Sequence, residues 1–260
     1  MAGQETTLYS IKEGAAWITL NRPEARNALS AELVNEMYAH LTAANNDEEV
    51  RSIIITGAGT AFCSGADLKS PPGELVAGQQ AITYPDLLDA ILKSEKPVIT
   101  AVNGPAFAGG IGLVAAADIA ITTTEAIYSF SEVRIGVIPA VIAVVCIPKL
   151  GTHHAMKLFL TGERFNGADA EKMGLTHRAV TAEDLMSAVQ EEIDMINLGG
   201  PLAVKEAKKL VRRISEISVA KGFEEAGPWS KRLFESEEGT EGMAAFREKR
   251  KPSWVKDGEG

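Results

Sequence analysis

The chain has 260 residues, of which 45% are hydrophobic, and can therefore bury a sizeable core. Its formal net charge of −9 argues against nucleic acid as a partner, because phosphate binding needs a basic surface. Residues 1–14 lack the apolar core of a signal peptide, and no run of 18 uncharged apolar residues predicts a membrane span. The chain has two cysteines, Cys63 and Cys146, which suit the reducing cytoplasm where we expect the protein.

Strands and helices alternate over the first half of the chain. Short apolar and β-branched runs predict strands at 15–20, 51–56, 97–102 and 118–122. Apolar spacing of helical period predicts a helix capped by Ser30 that runs to about Asn45, a second over 85–93, and a third after Gly109. This alternation implies parallel strands with right-handed crossovers, and hence an α/β fold.

After Pro139 the chain is predicted to be mostly helical. Helical spacing is found over 182–197, with Thr181 as N-cap, over 201–215 and over 240–250. We therefore expect a core over residues 1–195 and a helical C-terminal region over 196–260. A basic stripe on the helix at 201–215 is predicted to be a solvated face, with anion contact as the alternative; it comprises Lys205, Lys208, Lys209, Arg212 and Arg213.

A glycine-rich segment, residues 103–113 (NGPAFAGGIGL), joins a buried strand to a helix start. Glycines at such a junction let backbone N–H groups face a ligand, and the helix dipole favours negative charge there. The alternative is that the glycines only let the helix pack closely on the strand.

A second small-residue loop, residues 60–69 (TAFCSGADLK), also follows a strand. Two such loops can offer one N–H each to a single carbonyl oxygen, which is the minimum for an oxyanion hole. Asp67 has a competing interpretation as a helix N-cap. Cys63 is predicted to be a packing residue, because no histidine lies near it in sequence.

Five segments, in order, carry a resemblance: NRPEARNAL at 21–29, AFCSGADL at 61–68, the glycine-rich segment, SEVRIGVIP at 131–139 and EGMAAFREKR at 241–250. Through them the chain resembles the enoyl-CoA hydratase/isomerase (crotonase) superfamily. The resemblance implies a ββα-repeat spiral core with a helical C-terminal trimerisation region. It also implies a homotrimer or dimer of trimers, an acyl-CoA substrate, no cofactor beyond that coenzyme A, and no metal.

The resemblance also implies roles for single residues. The N–H groups of Ala66 and Gly109 correspond to the oxyanion donors, and Glu132 to the general acid/base of the family. Substrate and CoA contacts are implied for Ser64, Gly65, Asp67, Leu68, Ala25 and Arg26. Phe246 and Lys249 correspond to residues that reach the CoA of a neighbouring subunit; the alternatives are helix packing for Phe246 and a solvated face for Lys249.

The chain departs from the family pattern at two acidic positions. Hydratases with two glutamates carry the other one where this chain has Gly112, and an aspartate of some members is replaced by Ala140. Glu132 is then the only protic residue, unless it is an exposed carboxylate paired with Arg134. A single base can move a proton between two carbons, or assist water addition if the water is held. We therefore expect a hydratase of the fatty-acid type, with a 3,2-enoyl-CoA isomerase or a non-catalytic acyl-CoA-binding protein as alternatives.

Overall fold

The structure is a computed structural model that describes residues 5–76, 78 and 80–255. In chain order its strands are β1 (Thr7–Lys12), β2 (Ala15–Leu20), β3 (Ser52–Gly57), β4 (Val98–Val102), β5 (Ala106–Phe107), β6 (Ile119–Thr123), β7 (Ile127–Ser129), β8 (Phe165–Asn166) and β9 (Arg178–Val180). Its α-helices are α1 (Ala31–Asn46), α2 (Tyr84–Lys93), α3 (Gly109–Ala116), α4 (Ala140–Thr161), α5 (Gly167–Lys172), α6 (Leu185–Leu198), α7 (Pro201–Ser215), α8 (Val219–Phe234) and α9 (Glu237–Glu248).

The strands form a large and a small sheet. The large sheet has the order β1-β2-β3-β4-β6-β9, and every pair except the β1–β2 hairpin is parallel. The small sheet has the order β5-β7-β8, with β5 and β7 parallel. The predicted α/β fold with parallel pairing is confirmed. The β1–β2 hairpin was not predicted; its turn consists of Glu13 and Gly14, both at positive φ.

The core covers both faces of the large sheet. Ile53 and Ile55 of β3 point into a cluster that contains apolar side chains of α1, α2, α3 and α4. Ile54 between them points to the opposite face, where Leu185 and Val189 of α6 cover it. A parallel strand buried on both faces reads as a continuous apolar run, which is why β3 was evident from sequence.

The two predicted N-cap residues have different outcomes. Ser30 accepts a hydrogen bond from the Leu33 N–H, as its prediction as N-cap requires. The prediction for Thr181 is wrong: α6 begins after Asp184. The Thr181 hydroxyl instead accepts from the Asp184 N–H at 3.3 Å, within the preceding turn.

The cations of the basic stripe on α7 pair with carboxylates of this chain, and Lys209 and Arg213 are exposed, as the predicted solvated face requires. Lys208 and Arg212 bind Asp118 at 2.6 and 2.9 Å, next to β6. The remaining pairs are Lys205 with Glu95, Lys209 with Glu95 and Glu206, and Arg213 with Glu225. Lys208 and Arg212 therefore tie α7 to the residue before β6, and Arg213 ties it to α8.

The C-terminal helices match the prediction in part. The bounds of α7 agree with it, α8 was missed, and α9 ends one residue before Lys249. The predicted division at residue 195 falls inside α6, and the division into two regions stays a proposal. The first residues of the predicted core, 1–4, and the last residues of the predicted helical region, 256–260, lie outside the described residues.

None of the helices in the described part of the chain has the length and hydropathy that crossing a membrane requires.

Candidate active site

The two small-residue loops lie side by side because short parallel bridges join them. Leu29 pairs with Ala66, and Cys63 pairs with Ala106 of β5. Phe107 of β5 in turn pairs with Ser129 of β7. Since all these segments run in the same direction, the residues that follow each pairing meet at one edge.

The pairing with Leu29 fixes the direction of the Ala66 peptide. The Leu29 N–H donates to the Gly65 carbonyl at 2.8 Å, and the Asp67 N–H donates to the Leu29 carbonyl at 2.9 Å. In such a parallel bridge the N–H of the central residue points away from the partner strand. Ala66 is exposed, and no acceptor among the described residues takes its N–H.

Gly65 and Gly109 bring the two loops into contact. A Cβ atom on Gly65 would lie 3.1 Å from the Ala108 Cβ and 3.5 Å from the Gly109 nitrogen. Gly65 also has a φ of +94°, which disfavours any side chain. The approach of the loops thus requires glycine at position 65, and it places the Ala66 and Gly109 peptides beside each other.

Strained backbone turns Gly109 toward the site. Ala108 has φ 46° and ψ −118°, a conformation that residues with a side chain rarely adopt and that is held by its N–H bond to the Ser129 carbonyl at 3.1 Å. Gly109 is the first residue of α3, so its N–H has no partner within the helix. No other described acceptor takes that N–H, and the α3 dipole adds positive potential there.

The β5–β7 pairing also positions Glu132. Ser131–Ile135 is a 3-10 helix that begins two residues after β7, alongside the start of α3. Glu132 is half-buried, and its Oε2 is buried with no hydrogen-bond partner among the described residues. Burial raises the pKa of this carboxyl above its ordinary value of 4.5. The alternative of a Glu132–Arg134 pair is not found: Arg134 approaches the Thr161 carbonyl instead, at 3.5 Å.

The space beside Gly112 is filled by other side chains. A Cβ atom on Gly112 would lie 2.6 Å from Ile142 Cγ2 and 2.6 Å from the Tyr84 hydroxyl oxygen. That hydroxyl donates a hydrogen bond to the Gly109 carbonyl. Tyr84 therefore stands at the position from which a second glutamate would extend, and sequence analysis missed it.

Two polar side chains that sequence analysis also missed support the loops from behind. Asn27 is fully buried and donates to the carbonyls of Ala58 and Ala61 at 3.0 and 2.8 Å. Arg22 donates to the Ala28 carbonyl at 2.7 Å and binds the Asp67 carboxylate at 2.9 Å. These bonds tie the segment before α1 to the loop that carries Ala66.

Comparisons with known proteins show the family of this chain. The family model of enoyl-CoA hydratase/isomerase matches residues 10–257. The chain belongs to the enoyl-CoA hydratase/isomerase family. Carnitinyl-CoA dehydratase of Proteus mirabilis (strain HI4320) is 36% identical, with 96% of each chain covered. Enoyl-CoA hydratase EchA19 of Mycobacterium tuberculosis (strain ATCC 25618 / H37Rv) is 34% identical, with 91% of each covered.

Solved structures of the family share the fold over nearly the whole chain. AtuE of Pseudomonas aeruginosa superimposes with a TM-score of 0.89 at 32% identity, covering 97% of this chain and 100% of that one. The enoyl-CoA hydratase of Mycobacterium smegmatis gives 0.88 at 30% identity, with the same coverage. The predicted crotonase-like α/β fold and the superfamily resemblance are confirmed.

Within this family fold, the implied CoA residues near the loops fall into one cluster. The Ser64 N–H donates to the Arg26 carbonyl at 3.0 Å, and the Ser64 hydroxyl donates to the Ala25 carbonyl at 3.3 Å. Arg26 is exposed and makes no ion pair in the described part of the chain. Leu68, beyond Ala66, is 82% exposed.

Of the two remaining predictions for this loop, one is wrong and one is confirmed. The interpretation of Asp67 as a helix N-cap is wrong, because a turn follows it and its carboxylate instead accepts from the Lys69 N–H at 3.0 Å. This bond and Arg22 lower the pKa of Asp67. Cys63 is a packing residue, as predicted: it is fully buried, and burial raises the pKa of its thiol to about 12.

Phe246 and Lys249 lie apart from the loops. Helix α9 packs on α7 and α8, and Phe246 is 86% exposed, so helix packing does not explain it within one chain. Lys249 lies beyond α9 with a positive φ, and neither side chain bonds to the loops in the described part of the chain. The described residues also contain no group of three or more histidine, cysteine, aspartate or glutamate side chains placed to hold a metal.

Proposed function

We propose that this chain is an enoyl-CoA hydratase-type lyase that adds water to the double bond of a 2-enoyl-CoA. The proposal is supported by the unpartnered N–H groups of Ala66 and Gly109 and by the half-buried carboxyl of Glu132, whose 3-10 helix follows β7, the neighbour of β5. Relatives named enoyl-CoA hydratase, which match along nearly the whole chain, support this choice within the family.

The oxyanion donors act on the thioester carbonyl. As water adds to C3 of the enoyl group, the electron pair of the double bond moves toward the thioester oxygen and an enolate forms. The N–H groups of Ala66 and Gly109 are aimed at that oxygen before the reaction begins. Fixed donors of this kind stabilise the transition state more than the ground state, because the charge appears only as the reaction proceeds.

Glu132 moves the protons in this proposal. Its carboxylate takes one proton from the water as the C3–O bond forms, and the resulting carboxyl gives a proton to C2. The product is a 3-hydroxyacyl-CoA, and Glu132 returns to its ionised form. The raised pKa of Glu132 suits both steps, since an acid/base works best when its pKa is near the working pH. Every step is assigned to chain and substrate, so we propose that no cofactor beyond coenzyme A takes part.

Gly112 favours a second candidate, a 3,2-enoyl-CoA isomerase. With one carboxyl, the site can remove a proton from C2 of a 3-enoyl-CoA and return it at C4, with no water involved. A third possibility of another class is a protein that binds acyl-CoA without turnover.

Supplying the wild-type protein with crotonyl-CoA and, separately, a 3-enoyl-CoA in deuterated water separates these candidates. We expect crotonyl-CoA to lose its conjugated-thioester absorbance and gain one water, with deuterium at C2. Conversion of the 3-enoyl-CoA alone would make the chain an isomerase. Tight binding of crotonyl-CoA with neither reaction would contradict an enzymatic function.

For the coenzyme A moiety we propose two contributions from different subunits. Arg26, exposed and unpaired among the described residues, binds a phosphate, and the backbone of Ala25 lies beside the adenine. Ser64, Gly65, Asp67 and Leu68 shape the loop against the acyl thioester. Phe246 and Lys249 of a neighbouring subunit complete the site.

A homotrimer, or a dimer of trimers, would supply that neighbour. An exposed apolar stretch around the start of α4 supports assembly, because patches of this kind mark interaction surfaces; it comprises Val137, Ile138, Val141, Val144 and Ile147. We place the assembled enzyme in the cytoplasm, where the buried free thiols of Cys63 and Cys146 stay reduced.

Changing Phe246 to serine together with Lys249 to alanine is expected to weaken CoA binding roughly tenfold, the effect of losing about 1.4 kcal/mol of contacts. Both side chains are exposed in one chain, so the subunit should still fold. Calorimetric titration with CoA measures the affinity, and light scattering measures the oligomeric state. Lys12→Ala, an exposed change on β1, serves as the control. Unchanged affinity in a variant that remains trimeric would contradict the shared site.

A further inference from the structure

The side chain of Tyr84 lies against the glycine-rich segment. Its ring carbon Cε1 is 3.6 Å from a Cβ position on Gly109, and its hydroxyl oxygen is 2.6 Å from a Cβ position on Gly112. The Glu132 carboxylate is within electrostatic range of the phenol. The hydroxyl thus occupies the space beside Gly112 that a longer side chain at that position would fill.

This tyrosine is held by a rigid element. It is the first residue of α2, whose start is fixed by a reciprocal capping box between Thr83 and Asp86. The same helix is anchored in the core by buried Leu87, Leu88 and Ile91. The ring therefore has a defined position at the site, as a group that orients a reactant requires.

The hydrogen bonding of the phenol leaves it able to accept. A tyrosine hydroxyl has one proton, and here that proton is donated to the Gly109 carbonyl. The oxygen also accepts from the Leu113 backbone N–H, which leaves one lone pair for a further partner. Burial, and after it the neighbouring acidic groups that include Glu132, raise the pKa of Tyr84 well above its ordinary value. The phenol therefore keeps its proton near neutral pH and cannot serve as the base.

We propose that Tyr84 holds the reacting water opposite Glu132, in the place that a glutamate at position 112 would otherwise serve; this inference rests on the proposed hydration. The water donates one hydrogen to the Glu132 carboxylate and the other to the Tyr84 hydroxyl oxygen, so that its own oxygen faces C3. Glu132 takes the first proton as the C3–O bond forms. The second hydrogen stays on the new hydroxyl group, and Tyr84 keeps its own proton throughout.

A group that holds water affects only the reaction that consumes water. Exchange of the C2 proton of a saturated acyl-CoA with solvent needs the oxyanion donors and Glu132, but no water attacking C3. Hydration needs the two oxyanion donors, Glu132 and, in addition, the held water. The ratio of the two rates therefore distinguishes water positioning from a general structural role for Tyr84.

Tyr84→Phe in the full-length chain tests the proposal. We expect kcat for crotonyl-CoA hydration to fall roughly 10- to 100-fold, as for a misplaced reactant. We expect KM, and deuterium exchange at C2 of butyryl-CoA, to remain within about threefold, since contacts with substrate and the acid/base are unchanged. Tyr9→Phe removes the same hydroxyl from a half-buried tyrosine that stacks on His40 in another part of the fold, and is expected to leave both rates unchanged.

The outcomes separate this inference from the proposed function. A wild-type protein that does not hydrate any 2-enoyl-CoA would overturn both. Wild-type hydration with an equally active Tyr84→Phe variant would overturn only the role of Tyr84. An equal fall in hydration and in exchange would also overturn it, because it would mean that the hydroxyl supports the Gly109 peptide rather than the water.

Discussion

Replacing Glu132 with glutamine is expected to lower the turnover of a 2-enoyl-CoA by about 10²- to 10⁴-fold, the usual contribution of a general acid/base. Glutamine keeps the shape of the side chain but cannot exchange a proton. Affinity for the substrate should change little, because the N–H groups of Ala66 and Gly109 and the residues proposed to bind CoA are untouched. Single-turnover kinetics, which separate binding from chemistry, check this split.

Glu125→Gln is the matched control, because Glu125 is exposed in the loop before β7 and lies outside the proposed site. A second readout is the pH dependence of wild-type kcat/KM. The ionised carboxylate of Glu132 is the form that accepts the proton from water, and burial raises its pKa above 4.5. Activity should therefore fall on acidification at a pH above the ordinary range for glutamate. Full activity of Glu132→Gln would exclude the single-base mechanism.

Sequence alone predicted the elements whose signals are local. The strand β3 is an apolar run buried on both faces, and Ser30 caps α1 with its own hydroxyl. The two small-residue loops could also be placed, because the carboxyl ends of neighbouring parallel strands meet at one edge. These predictions needed only periodicity, capping chemistry and the pairing rule for alternating strands and helices.

The features that sequence missed depend on contacts between distant segments. Tyr84 immediately precedes the helix predicted over 85–93, and only the packing of α2 against α3 brings its hydroxyl to Gly112. Asn27 reads as a polar loop residue, yet it is buried and bonded to two carbonyls more than 30 positions away. The positive φ of Ala108 likewise has no signal in its residue type, because the bond to Ser129 imposes it.

Removing the second oxyanion donor is expected to have an effect of similar size. Gly109→Pro deletes the N–H proposed to bind the thioester oxygen, and loss of one such donor costs roughly 2.7–4 kcal/mol of transition-state stabilisation, or about 10²- to 10³-fold in kcat. Proline is well tolerated at the first position of a helix, which Gly109 occupies in α3. The measurement is kcat for hydration of crotonyl-CoA, with the unfolding midpoint as a check of the fold.

Gly109→Ala makes this test specific to the N–H. Both substitutions add a Cβ atom that would lie 2.9 Å from Leu29 Cδ1, a flexible side-chain end, so alanine reproduces this part of the crowding that proline introduces. Alanine retains the N–H and proline does not. We therefore expect Gly109→Ala to keep most of the wild-type kcat while Gly109→Pro loses it. Equal losses in the two variants would trace the effect to crowding against Leu29, and a folded, fully active proline variant would place the oxyanion donor elsewhere.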